Sequence, residues 1–355
     1  MLEHFDAAIA EVDACLDVLG LDVAIAKADA DEGILTRNGF DRVVAFLAAL
    51  LLRKTRPIEA AAQRKMEAAL DRDWKRMSDT RRAEAIGKAT GIMLATAAEQ
   101  ARIAAKVISI EGRGIISATK RAARDTYGLS NTDIFNAVDQ RVIDQIRNSQ
   151  AHYVRDEFGR RRERQSAMAR EIVAQGELRG ASSQEMAKEL AIKMRAAGVA
   201  RNEAYWRMVA NVFTARARTY GALASFEHAG IGRARWASVM DEVTSVFCRL
   251  MHGRVFEVKH ALERFAAVAA APNPEAVVDL QPWMRRGKDD DGNEVIFVQN
   301  SAGMRTRVAT VVENAVGRRD EPGRFKGVAT EATMAKLGIS CPPAHPNCRS
   351  TIVPA

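Results

Sequence analysis

The sequence predicts an α+β protein: a mostly α-helical N-terminal body over residues 1–179 and a small α+β C-terminal domain over residues 180–355. Three observations predict it. Apolar residues recur at steps of three and four over residues 2–19, the period of a helix buried along one face. No strand signal occurs before residue 230, where Gly230 and Gly232 turn the chain into Ala234-Arg235-Trp236-Ala237-Ser238-Val239-Met240, with its β-favouring Trp and Val. Hydrophobic residues make up 47% of the chain but aromatics only 6%, the balance expected of alanine-rich helices.

Taken in order, Leu2, Phe5, Ile9, Val12, Leu16 and Leu19 form one apolar stripe on a first helix, which needs a partner surface; Cys15 falls on that face as a core thiol. A helix is expected over about 40–56, stopped by Pro57, which suits the first turn of the next, to about residue 77. Another spans about 80–110, with Gly87, Gly91 and many alanines allowing close neighbours, and Gly112 and Gly114 breaking it. Ser130 followed by Asp133 marks a start for a helix reaching about residue 158.

Gly180 closes the N-terminal body. Ser182 with Glu185 is a capping box that opens a helix to about residue 196. Gly198 separates it from a long helix over about 201–228, with Trp206, Val209, Phe213 and Tyr220 assigned to the core. Residues 259–271 read as helical, and Pro272, Pro274 and Pro282 mark a loop. The polar turn 288–293 before Glu294-Val295-Ile296-Phe297-Val298 reads as a hairpin. Its Asp-x-Asp-Gly run lacks the glutamate of a calcium loop, because Asn300 stands in the twelfth position.

Two blocks concentrate residue types that are rare elsewhere: residues 236–256 and 341–354 hold three of the four cysteines, and the second holds four of the nine prolines. Trp236, Ser238, Asp241, Thr244, Ser245, Cys248 and Gly253 in the first, and Pro342, Pro343, His345, Pro346, Asn347, Cys348, Arg349 and Ser350 in the second, resemble the C-terminal signature of phage minor head proteins. This is the Mu F-like, or phage head morphogenesis, family. Val243 replaces the arginine that the family carries before its threonine. The resemblance covers about residues 180–355. It implies a structural protein of head assembly, associated with the portal protein, with the major capsid or scaffold protein and, as in some members of the family, with packaged double-stranded DNA. It also implies a place in the capsid interior near the portal, after assembly in the bacterial cytoplasm. Many family members carry further cysteines where Ser245 and Ser350 stand.

Side-chain chemistry in these blocks admits several arrangements, all of which require the blocks to meet. Cys248 and His252 lie four apart, on one face of a helix. His345 and Cys348 lie three apart in a proline-stiffened turn. Together they could supply the four ligands of a structural zinc, the one cofactor option the residues offer. The alternatives are a Cys248–Cys348 or Cys341–Cys348 disulfide, or a metal-free core with His345 hydrogen-bonded to the first block and Asp241 near Arg349. Asp241 is expected to cap the following helix, accepting from N–H groups near Thr244.

Other classes are disfavoured. No phosphate-binding glycine loop, Gly-x-Ser-x-Gly elbow or His-Glu-x-x-His occurs, so an enzyme is not expected. The enzyme alternative is a metal- or cysteine-dependent hydrolase or toxin-type module, pairing Asp241 and His345 with Thr244, Ser245 or Cys248 as nucleophile. The net charge of +8 favours phosphate or acidic protein partners without choosing between them. The densest basic cluster, Arg160-Arg161-Arg162-Glu163-Arg164, contains no aromatic to stack on a base, so any nucleic-acid contact there would be phosphate-directed and sequence-blind. No secretory signal is expected from the acidic N-terminus. The longest apolar run, residues 43–52, falls short of the ~20 residues of a membrane helix.

Overall fold

A computed structural model describes residues 33–70, 76–129, 135–146, 171, 175, 179, 183–271 and 276–355. The stripe over residues 2–19, Cys15, the Ser130/Asp133 pair, the Arg160–Arg164 cluster, Ser182, Pro272 and Pro274 lie outside the described residues. The fold is α+β: long helices and two small antiparallel sheets.

The helices are α1 (Arg37–Leu70), α2 (Asp79–Tyr127), α3 (137–146) and α4 (Ser183–His228). Thr36 starts α1 by accepting from the Gly39 amide at 3.2 Å, a side-chain cap for an otherwise unpaired donor. Pro57 does not stop this helix; it lies inside α1. A proline in a helix interior costs about 3 kcal/mol. The Ala, Glu, Gln, Lys and Met that follow are strong helix formers, and they carry the helix through an exposed position.

Gly112 and Gly114 do not break α2 either. A Cβ at Gly112 would stand 3.1 Å from Ile143 Cγ2 and 3.1 Å from Phe213 Cζ. This glycine is therefore a place where helices approach closely rather than a terminator. Gly221 plays the same part on α4, where a Cβ would meet Thr119 Cβ at 3.0 Å. Gly198 likewise lies within the continuous α4, at a propensity cost of about 1 kcal/mol. Trp206, Val209, Phe213 and Tyr220 are all buried, as expected. The described start of α3 is a capping box: Asn136 Oδ1 accepts from the Val138 amide at 2.8 Å, and Asp139 Oδ2 accepts from the Asn136 amide at 2.8 Å.

Two compact units divide the chain. One holds the described residues of Met1–Leu47, Ile108–Ser149 and Met208–Ala355, and the other those of Ala48–Val107 and Gln150–Arg207. The division does not coincide with a cut at residue 180. Segments from the first half of the chain supply core to the unit that holds the signature blocks, through contacts such as Gly112 against Phe213. The unit containing Ala48–Val107 buries Leu50, Leu51, Ala62, Ala89, Ala101, Ala104, Tyr205 and Trp206, a core thin in large side chains apart from its two aromatics.

The other unit carries the sheets. Strands β1 (Arg233–Ala237), β2 (Val255–Glu257) and β7 (Thr351–Pro354) form one, in the order β2-β1-β7. Strands β3 (Arg285–Lys288), β4 (Glu294–Gln299), β5 (Arg305–Glu313) and β6 (Arg324–Lys326) form the other, in sequence order. The expected hairpin is β3–β4, with Lys288 opposite Glu294. Short helices α5 (Val246–Met251), α6 (Val258–Ala269), α7 (Val277–Leu280) and α8 (Glu331–Lys336) fill the connections. One buried cluster joins them, including Trp236, Met251, Phe256, Ile296, Val308, Met334, Cys248 and Cys348. No helix among the described residues is long and apolar enough to cross a membrane.

Candidate functional site

The two signature blocks meet, first through the backbone. β7 pairs antiparallel with β1, placing Ile352 opposite Trp236 and Thr351 opposite Ala237. Gly253, at φ +80°, donates its amide to the Trp236 carbonyl at 2.9 Å and turns the chain toward β2. That φ is open to glycine at little cost.

Asp241 then joins the blocks by charge. Arg349 Nη2 donates to Asp241 Oδ1 at 2.7 Å and to Oδ2 at 2.8 Å. The Thr244 hydroxyl donates to Oδ1 at 2.7 Å, and Arg37, at the start of α1, lies 3.0 Å from Oδ2. Burial alone would push this carboxyl up. The hydrogen bonds from Thr244 and Arg349 and the charges of Arg349 and Arg37 outweigh it and hold the pKa below the usual aspartate value. Asp241 is thus an ion-pair hub and not the expected helix cap. Ser245 caps α5, its hydroxyl accepting from the Cys248 amide at 3.2 Å, because it is the residue immediately before the first helical position.

Beside this hub the blocks meet through sulfur and imidazole. His345 Nε2 lies 2.8 Å from Ser245 Oγ and 3.2 Å from Cys248 Sγ, and the Cys248 and Cys348 sulfurs are 3.6 Å apart. The ligand atoms of Cys248, His345 and Cys348 all lie within 4.8 Å of one another. The Cys348 amide donates to the His345 carbonyl at 3.1 Å, so the segment 345–348 is a turn that brings both side chains to one side. Both cysteines are buried free thiols.

The electrostatics divide the pair. Hydrogen bonding with Cys348 and burial push the Cys248 thiol well up. Burial opposes the Cys348 thiolate as well, but hydrogen bonds from Cys248, Ala344 and Ser350 and the nearby His345 bring its pKa well below the usual thiol value. Burial, aided by the charge of Arg349 and opposed by Cys348, lowers the pKa of His345 and favours the neutral imidazole.

Not every expected residue is here. His252 ends α5 on the exposed side, where its Nδ1 accepts from the Ser238 amide at 3.1 Å, and it is not among the clustered ligands. Of the four residues expected together, Cys248, His345 and Cys348 cluster and His252 stands apart: the i, i+4 spacing holds only inside a helix, and α5 ends at Met251. Cys341 is a free thiol outside the cluster. Pro343 follows a cis peptide bond, and Asn347 is exposed.

Three further residues secure the site. Arg249, fully buried, donates to the carbonyls of Thr244 (3.1 Å), Asp241 (2.6 Å), Arg318 (2.6 Å) and Glu321. Arg218 Nη2 donates to the carbonyls of Arg349 (3.1 Å) and Ser350 (2.7 Å), and its guanidinium lies 3.9 Å from the centre of the Phe40 ring. Burial lowers the pKa of Arg218 to about 10, which still leaves it charged at neutral pH. Asn211 Nδ2 donates to the carbonyls of Pro346 at 3.0 Å and Cys348 at 3.3 Å. The sequence carried a signal for two of these: Asn211, Arg218 and Ser225 recur every seven residues, on one face of the helix.

Compared with protein families, curated proteins and solved structures, the chain has no match in any of the three.

Proposed function

We propose that this chain is a structural minor head protein of a tailed phage, acting in head assembly with the portal protein and the major capsid or scaffold protein, and touching packaged double-stranded DNA through phosphates only. One observation carries the reading: the residues of both signature blocks are spent on holding the domain together. Asp241 is saturated by Thr244, Arg349 and Arg37. Ser245 caps a helix and Arg349 closes an ion pair. Such a set suits a compact anchor.

An enzyme built on the same residues would need a sulfur or hydroxyl open to substrate. Cys348 is fully buried, and Cys248 is 4% exposed. An open cavity of about 730 Å³ in this unit is lined by other residues, among them Arg233, Glu257, His260, Arg264 and Glu331. The burial of both sulfurs therefore counts against a cysteine-dependent hydrolase or toxin-type module.

The test is particle composition. Sequence the genes beside its own, express the full chain together with any portal, scaffold and capsid proteins found there, purify the particles, and quantify the chain with and without the portal. Portal-dependent incorporation in few copies per particle is expected. A chain absent from particles of every composition overturns the proposal. In salt titrations of the free chain, duplex binding should be weak and fall steeply with added salt.

A further inference from the structure

We propose that Cys248, Cys348 and His345 bind one zinc ion through their two sulfurs and Nε2, with an oxygen beside the Ser245 hydroxyl as the fourth ligand. The inference is independent of the assembly role. It begins with distance. Zinc bonds to sulfur at about 2.3 Å and to imidazole nitrogen at about 2.0–2.1 Å, so a tetrahedral centre sets its sulfurs about 3.8 Å apart and sulfur from nitrogen about 3.5 Å apart. The separations here are 3.6 Å for sulfur to sulfur and 3.2 Å for Cys248 Sγ to His345 Nε2. Both lie within a few tenths of an ångström of the edges of that tetrahedron. They are much longer than a disulfide bond of about 2.05 Å.

Ligand chemistry selects the metal. Two thiolates and one imidazole suit zinc, whereas magnesium and calcium take oxygen sets. Binding brings a doubly positive ion to two sulfurs and releases whatever protons the thiols still hold, so the bound centre is neutral apart from its fourth ligand. That neutrality matters in this position, since both sulfurs lie in the apolar cluster with Trp236, Met251 and Ile296, where an uncompensated charge is costly.

The surroundings also match what metal ligands require. Each ligand is held from behind before any ion arrives. Cys248 sits in the first turn of α5, fixed by the Ser245 cap. His345 and Cys348 share one turn, fixed by the 3.1 Å amide bond between them and by Asn211 on the carbonyls of Pro346 and Cys348. Ser238 bridges the blocks, donating to the Cys248 carbonyl at 2.7 Å and lying 3.0 Å from the Ser350 hydroxyl. Outer contacts of this kind orient ligands and strengthen binding. The fourth position falls to oxygen because Ser245 Oγ is 2.8 Å from Nε2 on the half-buried side of the cluster.

The experiment uses the full chain, without a histidine tag, reduced and stripped with a chelator. Zinc is added back and counted by elemental analysis, and cobalt is used in parallel as a spectroscopic probe. About one zinc per chain is expected, with a tetrahedral cobalt spectrum carrying sulfur charge-transfer bands. Cys248→Ser, Cys348→Ser and His345→Gln should each lower zinc affinity at least about 10-fold. His252→Ala and Cys341→Ser should leave uptake unchanged. If the cysteine variants fail to fold, thiol labelling of the wild-type chain decides: zinc should protect Cys248 and Cys348 and leave the rate at Cys341 unaltered. A reduced wild-type chain that takes up no zinc overturns the proposal. So does one that keeps its zinc in a folded Cys348→Ser variant, or one whose Cys248 and Cys348 react equally fast with and without the metal.

Discussion

Replacing Asp241 with asparagine tests whether the contact between the blocks is electrostatic at its centre. The carboxylate side chain is 8% exposed and holds Arg349 at 2.7 Å, with Arg37 at 3.0 Å. Removing one partner of a buried pair costs about 3–5 kcal/mol. Here the arginines are partly wet, at 19% for Arg349 and 45% for Arg37, so water recovers part of the loss. The expected destabilisation is about 2–3 kcal/mol, a 30- to 150-fold rise in local opening at about 1.4 kcal/mol per tenfold.

The assay is amide hydrogen exchange in β7, whose pairing with β1 depends on the contact and which reports this unit alone. The pH dependence follows from the lowered pKa of Asp241. Its contribution is present in full above the unfolded aspartate value of about 3.9 and is lost as pH falls through the lower folded value. The gap between wild type and Asp241→Asn should therefore be constant from about pH 7 to pH 5 and close below about pH 4. Combining Asp241→Asn with Arg349→Met should cost less than the sum of the two single changes, by about 1–2 kcal/mol. Strict additivity, or a gap that persists unchanged at low pH, would refute the electrostatic account.

Two further predictions concern the helices. Gly112→Ala should destabilise the chain by about 1–3 kcal/mol through overpacking against Ile143 and Phe213, overriding its gain in helix propensity. Gly87→Ala, where nothing lies within 4 Å, should stabilise by up to about 1 kcal/mol; urea melts of both variants check the contrast. Lys120→Met should cost about 3–5 kcal/mol, because Lys120 Nζ lies 2.9 Å from Asp139 in a fully buried pair and the Asp139 carboxylate would keep its Asn136 amide bond but lose its counter-charge. A chevron or equilibrium melt showing a loss under about 1 kcal/mol would contradict that account.

How much of this was legible from the sequence depends on the range of the interaction. Helix existence, the core face of α4, the β3–β4 hairpin and the meeting of the two blocks were legible, because period, turn residues and rare side chains are local or compositional signals. Helix ends were not. Pro57, Gly112 and Gly198 are ordinary breakers, yet each lies inside a helix; at Gly112 the close approach of Ile143 and Phe213, a tertiary contact, is what the glycine serves. The assignment of Asp241 failed for a related reason. Capping geometry requires the residue directly before the first helical turn, and the start of α5 is one that only the backbone reveals. His252 failed through the early end of the same helix. Arg249 was hidden because it binds backbone carbonyls, which carry no sequence signature at all.

The separation of the blocks explains why so many bonds converge on one place. Cys248 and Cys348 are 100 residues apart, and Asp241 and Arg349 are 108 apart. Between them lies the whole β3–β6 sheet. Closing a chain segment that long costs entropy, and a covalent-strength bridge across about 100 residues would remove about 4.7 kcal/mol of it from the unfolded state on the chain-entropy model. The four residue pairs of β1 with β7 are a short ladder to hold such a closure. The Asp241–Arg349 pair, the Ser238–Ser350 contact and the cysteine–histidine cluster stand within the same few residues, each tying the first block to the second. Arg218 and Asn211 add a tie from α4, using carbonyls of the second block just ahead of β7. A domain closed in this way loses its end strand only when several unlike interactions fail together. Salt or acid weakens the ion pair and, on the zinc proposal, a chelator weakens the sulfur cluster. Neither should release β7 alone, and both together should. Exchange in β7 under each condition separately and then combined measures that directly.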